Sequence, residues 1–214
     1  MSVVSRSPAQ ITFSTWKALF LRGAVAHLSA GRLAWFWLIF EPVAFTVLLM
    51  LVFTFLRVRH IGGIQTAVWI MAGVLSFLIF RRTASQAAAA VGASRALFTY
   101  PQVKPIDPVL VSAALDGLLM VLVSIVMLSG AALIHFDVVP ADPLAVLEAM
   151  LGLWLLGLGY ALVNSVCLDV FPAVGATLNF LLRPLYFLSG VLTPVLLFPF
   201  PYRDSFALNP IVHG

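Results

Sequence analysis

The sequence predicts an all-α integral membrane protein. Of 214 residues, 62% are hydrophobic and 9% are charged, against about 25% charge in an ordinary soluble domain. Mean hydropathy is +1.09. A soluble fold of this size has no interior large enough for so much apolar surface, so lipid must cover it. The apolar residues come in long runs, without the alternating pattern of β-barrel strands.

Charge and cysteine usage narrow the class further. Net charge is +4, from 12 Lys+Arg against 8 Asp+Glu. In a soluble protein that excess would suggest nucleic acid. Here the bases flank apolar spans, so they set topology, and no nucleic-acid partner is expected. Cys167, the single cysteine, cannot form an intrachain disulfide and reads as a small packing residue. Residues 1–33 lack the apolar core and cleavage site of a secretory signal.

Taken in order, residues 10–32 place Phe13, Trp16, Phe20 and Ala24 at helical spacing among Lys17, Arg22 and Arg32, with no acid. This predicts an amphipathic helix in the membrane interface, basic toward anionic headgroups. The alternative, a solvated tail, would leave Trp16 and the phenylalanines in water. Five transmembrane helices follow, at 34–56, 64–84, 107–134, 144–168 and 171–190. A spanning helix needs about 20 residues, and the second reaches that length through snorkelling of Arg81 and Arg82. Residues 85–104 continue it out of the membrane until Tyr100-Pro101 breaks it. Pro105 then stands near the start of the third, where its missing N–H costs nothing. Residues 191–210 carry Pro194, Pro199, Pro201 and Pro210, which no uninterrupted helix accommodates. They predict a re-entrant periplasmic segment. No internal repeat is apparent, and residues 1–214 form a single transmembrane domain.

With the N-terminus inside, Arg6, Lys17, Arg22, Arg32, Arg81, Arg82, Arg95 and Lys104 lie in the cytoplasm. Arg57, Arg59 and Arg203 fall outside, and Arg183 falls within the membrane. The positive-inside rule favours this orientation, although Arg57 and Arg59 pull against it. Five spans would leave the C-terminus outside, so a sixth helix is expected beyond Gly214.

Ionisable residues within spans are the functional candidates. Arg183 lies about 18 Å into the fifth span by helical rise, near the midplane, with Pro184 after it. It either contacts an anionic substrate group or pairs with Asp116 or Glu41. Glu41 and Asp116 read as structural polar anchors, and Glu148 as a snorkelling group near a helix end. Trp35, Trp37 and Trp69 fit interfacial belts. Tyr160, Phe180, Tyr186 and Phe187 lie deeper, for helix packing or for stacking on sugars. His27, His60, His135 and His213 form no metal-ligand spacing, and no metal site is expected. No GxSxG or P-loop pattern occurs, so any ATP-driven motor is another polypeptide.

Five stretches then carry a family resemblance. They are Ala18-Leu19-Phe20-Leu21-Arg22; Glu41-Pro42; Leu97-Phe98 with Tyr100 and Val103-Lys104-Pro105-Ile106-Asp107; Arg183-Pro184-Leu185-Tyr186-Phe187-Leu188-Ser189-Gly190; and Asn209-Pro210 with His213. In this order they resemble the membrane subunit of capsular polysaccharide export ABC transporters, the KpsM type of the ABC-2 permease class. The resemblance spans essentially the whole chain, and VKPID is its most specific part. It implies a homodimer of permeases in the inner membrane of a Gram-negative cell, with two copies of a separate ABC ATPase. That ATPase would bind ATP and Mg, and this chain would hold no cofactor. It implies a lipid-linked polysaccharide drawn from the cytoplasmic side, with periplasmic adaptor and outer-membrane export partners.

On that basis residues 85–104 are the coupling region, with Arg95, Leu97, Phe98, Tyr100 and Lys104 facing the ATPase. The substrate path would involve Arg183, Tyr186, Phe180, Phe187, Asp116 and Glu41. The periplasmic gate would involve Ser189, Gly190, Pro194, Phe200, Asn209 and Pro210. The rival within the class is an O-antigen or other ABC-2 exporter. The rival outside it is an integral membrane enzyme acting on polyprenyl-phosphate lipids, against which the lack of clustered acids or histidines counts.

Overall fold

A computed structural model describes residues 8–29, 34–55, 60–61, 64–136, 138, 140 and 142–188. Among the described residues six α-helices carry the fold: α1 (Pro8–Ser29), α2 (Ala34–Phe55), α3 (Thr66–Ala93), α4 (Ile106–Leu133), α5 (Pro143–Val170) and α6 (Pro172–Leu188). Between α2 and α3 lie two two-residue antiparallel strands, β1 (His60–Ile61) and β2 (Ile64–Gln65), in register His60 to Gln65 and Ile61 to Ile64. The sequence did not signal this ladder.

α3, α4 and α5 each have 28 residues, or about 42 Å of helix, more than the ~30 Å hydrocarbon core. Among the described residues Ala67–Ala93, Ile106–Leu133 and Pro143–Val170 are long and apolar enough to cross a membrane. The apolar stretches described in α2 (Ile39–Val52) and α6 (Pro172–Leu182) are shorter. Leu118, Val121, Ile125, Leu147, Leu151 and Leu155 are exposed on α4 and α5, which suits a surface solvated by lipid.

α3 is the central helix. Its Ile70, Val74, Phe77 and Phe80 form the core with Met120, Val123, Leu153 and Leu182. A second cluster joins Ala87, Ala88, Val109, Ala113 and Ala161. These small side chains let backbones approach closely, which is how helices associate when lipid removes the hydrophobic drive. The most extensive helix contact is α3 with α5. Trp154 of α5 lies over Gly117 of α4 and donates from Nε1 to the Ala113 carbonyl at 2.8 Å.

Local chemistry explains the helix ends. Asp142 caps α5 by accepting from the backbone N–H groups of Leu144 (3.0 Å) and Ala145 (3.2 Å), with Pro143 following. α2 runs through Pro42, whose carbonyl accepts from Thr46 Oγ1 at 2.8 Å. α3 continues unbroken through Arg81 and Arg82 as expected, but its α-helix stops at Ala93, before Tyr100-Pro101. Arg95–Thr99 tightens into a 3-10 turn that delivers Tyr100 in extended conformation, as a residue before proline requires.

α5 and α6 form an antiparallel hairpin joined at Phe171, whose N–H donates to the Cys167 carbonyl at 2.8 Å. Tyr160 Oη donates to the Leu178 carbonyl (2.8 Å) and Asn164 Nδ2 to Asn179 Oδ1 (2.9 Å). A Cβ at Gly175 would lie 2.6 Å from the Leu168 side chain, so glycine is what permits the sharp turn.

Candidate functional site: a clasped connector and buried polar groups

The end of α3, the start of α4, the α5–α6 turn and α1 converge at one end of the bundle. The segment from Ser94 to Pro105 links α3 to α4 there. It holds the five residues assigned to coupling. Tyr100 (63% exposed) and Lys104 project outward, while Leu97 and Phe98 are half-buried. Arg95 is exposed and forms a salt bridge to Asp169 in the last turn of α5. Both groups are exposed, so the pair contributes at most about 1 kcal/mol. Its role is to register the connector against the α5–α6 turn.

Asp107 holds the other side. It is 4% exposed. Its Oδ2 accepts from the Lys104 backbone N–H and its Oδ1 from Trp16 Nε1, both at 2.8 Å. One carboxylate thus closes the end of the connector, sits in the first turn of α4 where anions are favoured, and fastens α1 to both. Sequence reasoning found Asp107 within VKPID but gave it no task. Trp16, 91 residues away, read only as an apolar residue of an interface helix, and Asp169 carried no signal.

Of the residues expected to share one intramembrane path, Glu41, Asp116 and Phe180 have described side chains. Asp116 is 1% exposed in α4, and neither carboxylate oxygen has a hydrogen-bond partner among the described residues. Ser112, one turn earlier, and Arg82, on α3, are the polar groups that act on it. Glu41 instead lines a cavity of about 420 Å³ between α2 and α3, together with Arg81 and Arg82. Phe180 is 63% exposed on α6.

Tyr160 packs edge-on against Phe80 and spends its hydroxyl within the α5–α6 hairpin, which makes it a packing residue. Trp37 is exposed as a belt residue would be, but Trp69 is half-buried with its indole N–H unpartnered among the described residues. Arg183, Tyr186 and Phe187 lie on the α6 backbone, and their side chains are outside the described residues. The gate residues Ser189, Gly190, Pro194, Phe200, Asn209 and Pro210 also lie outside them.

A bundle of helices, three of which among the described residues are apolar and longer than a bilayer is thick, defines a multi-pass membrane protein. The chain belongs to the ABC-2 type transporter family, which matches residues 15–214. It is 30% identical over 215 residues to the polysialic acid transport protein KpsM of Escherichia coli, covering 98% of this chain and 81% of that protein. It is 23% identical over 202 residues to the capsule polysaccharide export inner-membrane protein CtrC of Neisseria meningitidis serogroup A, covering 92% of this chain and 74% of CtrC. It is 21% identical over 202 residues to BexB of Haemophilus influenzae, a capsule polysaccharide export inner-membrane protein, again covering 92% and 74%. The chain is therefore an inner-membrane transporter permease and not an enzyme; in this family ATP hydrolysis resides in a separate subunit.

Proposed function

We propose that this chain is the membrane subunit of an ATP-driven exporter that moves lipid-linked capsular polysaccharide from the cytoplasm across the inner membrane. The single observation that carries this is similarity to KpsM across 98% of the chain. The N-terminus and the α3–α4 connector lie in the cytoplasm, where the bases concentrate. Two copies of the chain pair with two ATPase subunits that bind ATP and Mg. Periplasmic adaptor and outer-membrane proteins complete the route. The connector's outward Tyr100 and Lys104, with Phe98 beneath, form the surface that receives the ATPase.

The test is copurification with a P-loop ATPase and surface polysaccharide in a permease-deletion strain. Phe98→Asp is expected to reduce ATPase association and export at least about tenfold at normal permease level, since it sets a charge in a half-buried contact. Arg95→Asp acts differently, because it faces Asp169. The swap Arg95→Asp with Asp169→Arg is expected to restore whatever fraction of the loss comes from the intrachain pair. Normal association and export by Phe98→Asp would overturn the coupling assignment.

Arg183 is assigned to the substrate path. Arg183→Ala is expected to abolish export while leaving permease abundance and ATPase binding intact. If the arginine is instead the structural partner of a buried acid, abundance falls with export. Full abundance with normal export would exclude both roles.

A further inference from the structure

We propose that the cavity between α2 and α3 is a binding site for a phosphate-bearing lipid headgroup, held by Arg81 and Arg82. Three charged side chains, Glu41, Arg81 and Arg82, line this one space of about 420 Å³. That size falls within the about 300–1,000 Å³ of small-molecule sites. None of the three is in a salt bridge; among the described residues the one such pair is Arg95 with Asp169. Among the described residues Arg82 Nε is buried without a hydrogen-bond partner. A buried guanidinium N–H without a partner is costly, which favours an acceptor bound in the cavity. The Asp116 carboxylate, on α4 and outside the cavity lining, acts electrostatically on Arg82, and neither of its oxygens is hydrogen-bonded among the described residues.

Depth selects the ligand. Arg81 and Arg82 stand about 23 Å along α3 from Thr66, and Glu41 about 10 Å along α2 from Ala34. With α2 and α3 running in opposite directions, Glu41 and the two arginines meet at one level of the bundle, toward the ends of these spans that the distribution of bases puts in the cytoplasm. Phosphate is the anion that lipids present there, and basic pockets between membrane helices recognise it. Two guanidiniums offer planar donor forks that match phosphate oxygens. Phe45, Phe77 and Met120 supply the apolar wall for the adjoining glycerol and acyl carbons. Glu41 faces the same space and opposes the anion, which sets affinity below its maximum and makes it adjustable. This assignment does not depend on the identity of the exported polymer.

The full chain, purified in detergent and delipidated, is titrated with dioctanoyl phosphatidylglycerol, dioctanoylglycerol and inorganic phosphate, reading binding and thermal midpoint. Phosphatidylglycerol is expected to bind and raise the midpoint; the other two are not. Arg81→Gln with Arg82→Gln lowers phosphatidylglycerol affinity at least about tenfold. Glu41→Gln raises it about threefold by removing the repulsion. That gain, with the single Arg81→Gln at an exposed position, carries the test if the double variant fails to fold. Equal binding of dioctanoylglycerol would reduce the site to an acyl groove and overturn the proposal. Stabilisation by inorganic phosphate alone would assign the cavity to a soluble anion and also overturn it. So would unchanged affinity in Arg81→Gln and Glu41→Gln.

Discussion

Gly157→Leu is expected to remove the folded protein from the membrane. Gly157 is buried where α5 meets α3. A Cβ there would lie 2.8 Å from the Phe80 carbonyl oxygen, 3.1 Å from Thr83 Cβ and 3.4 Å from Thr83 Cγ2. The nearest of these atoms is backbone, so no rotamer change relieves the clash, and the two helices must part. α3 with α5 is the largest contact in the bundle, and in lipid such packing is what holds helices together. Gly157→Ala should cost about 1–3 kcal/mol. Gly157→Leu should leave little monodisperse protein after detergent extraction. Gly159 is the control: nothing among the described residues lies within 4 Å of its Cβ position. Gly159→Ala should be neutral or stabilise by up to about 1 kcal/mol through helix propensity. A Gly157→Leu protein that accumulates and unfolds at the wild-type temperature would show that the α3–α5 contact does not need this close approach.

The contrast between those glycines marks what a sequence can and cannot disclose. Length and apolarity of the runs gave helix positions to within a few residues for α2, α4, α5 and α6, because a bilayer admits so few alternatives. The proline rule placed the break at Tyr100-Pro101. It missed the earlier change at Ser94, which depends on how the connector is tied down. The β1–β2 ladder was missed because two-residue strands have no periodicity. Site residues were harder. Arg81 and Arg82 read only as topology markers, since a helix-boundary basic pair is what the positive-inside rule expects. Their meeting with Glu41 is a fact of α2–α3 packing. Glu41 and Asp116, grouped in the sequence by chemistry alone, both come to act on Arg82, Glu41 across the cavity and Asp116 from α4. Nothing local to Trp16, Arg95, Asp107 or Asp169 announces that they meet in pairs.

Asp107→Ala is expected to uncouple the connector and to weaken the fold at the same time. It takes away the acceptor for two donors, Trp16 Nε1 and the Lys104 N–H. Leaving two partly buried donors unpaired should cost about 2–4 kcal/mol. The larger consequence is mechanical. Asp107 is where α1, the connector and α4 share a single anchor, so its loss frees the end of the coupling segment opposite Arg95. Export should fall at least about tenfold. Asp107→Asn keeps the shape and one acceptor oxygen but turns an NH₂ toward the second donor, so it should fall between wild type and alanine. Trp16→Phe removes one donor and leaves the Lys104 cap intact, at about 1 kcal/mol, with near-normal protein level. Because the two residues touch, the double variant Trp16→Phe with Asp107→Ala should cost less than the sum of the singles. If the clasp transmits force from the ATPase, Trp16→Phe lowers export per permease molecule while thermal stability barely moves. If the clasp serves stability alone, export tracks protein level across all four variants, and that result would end the mechanical reading.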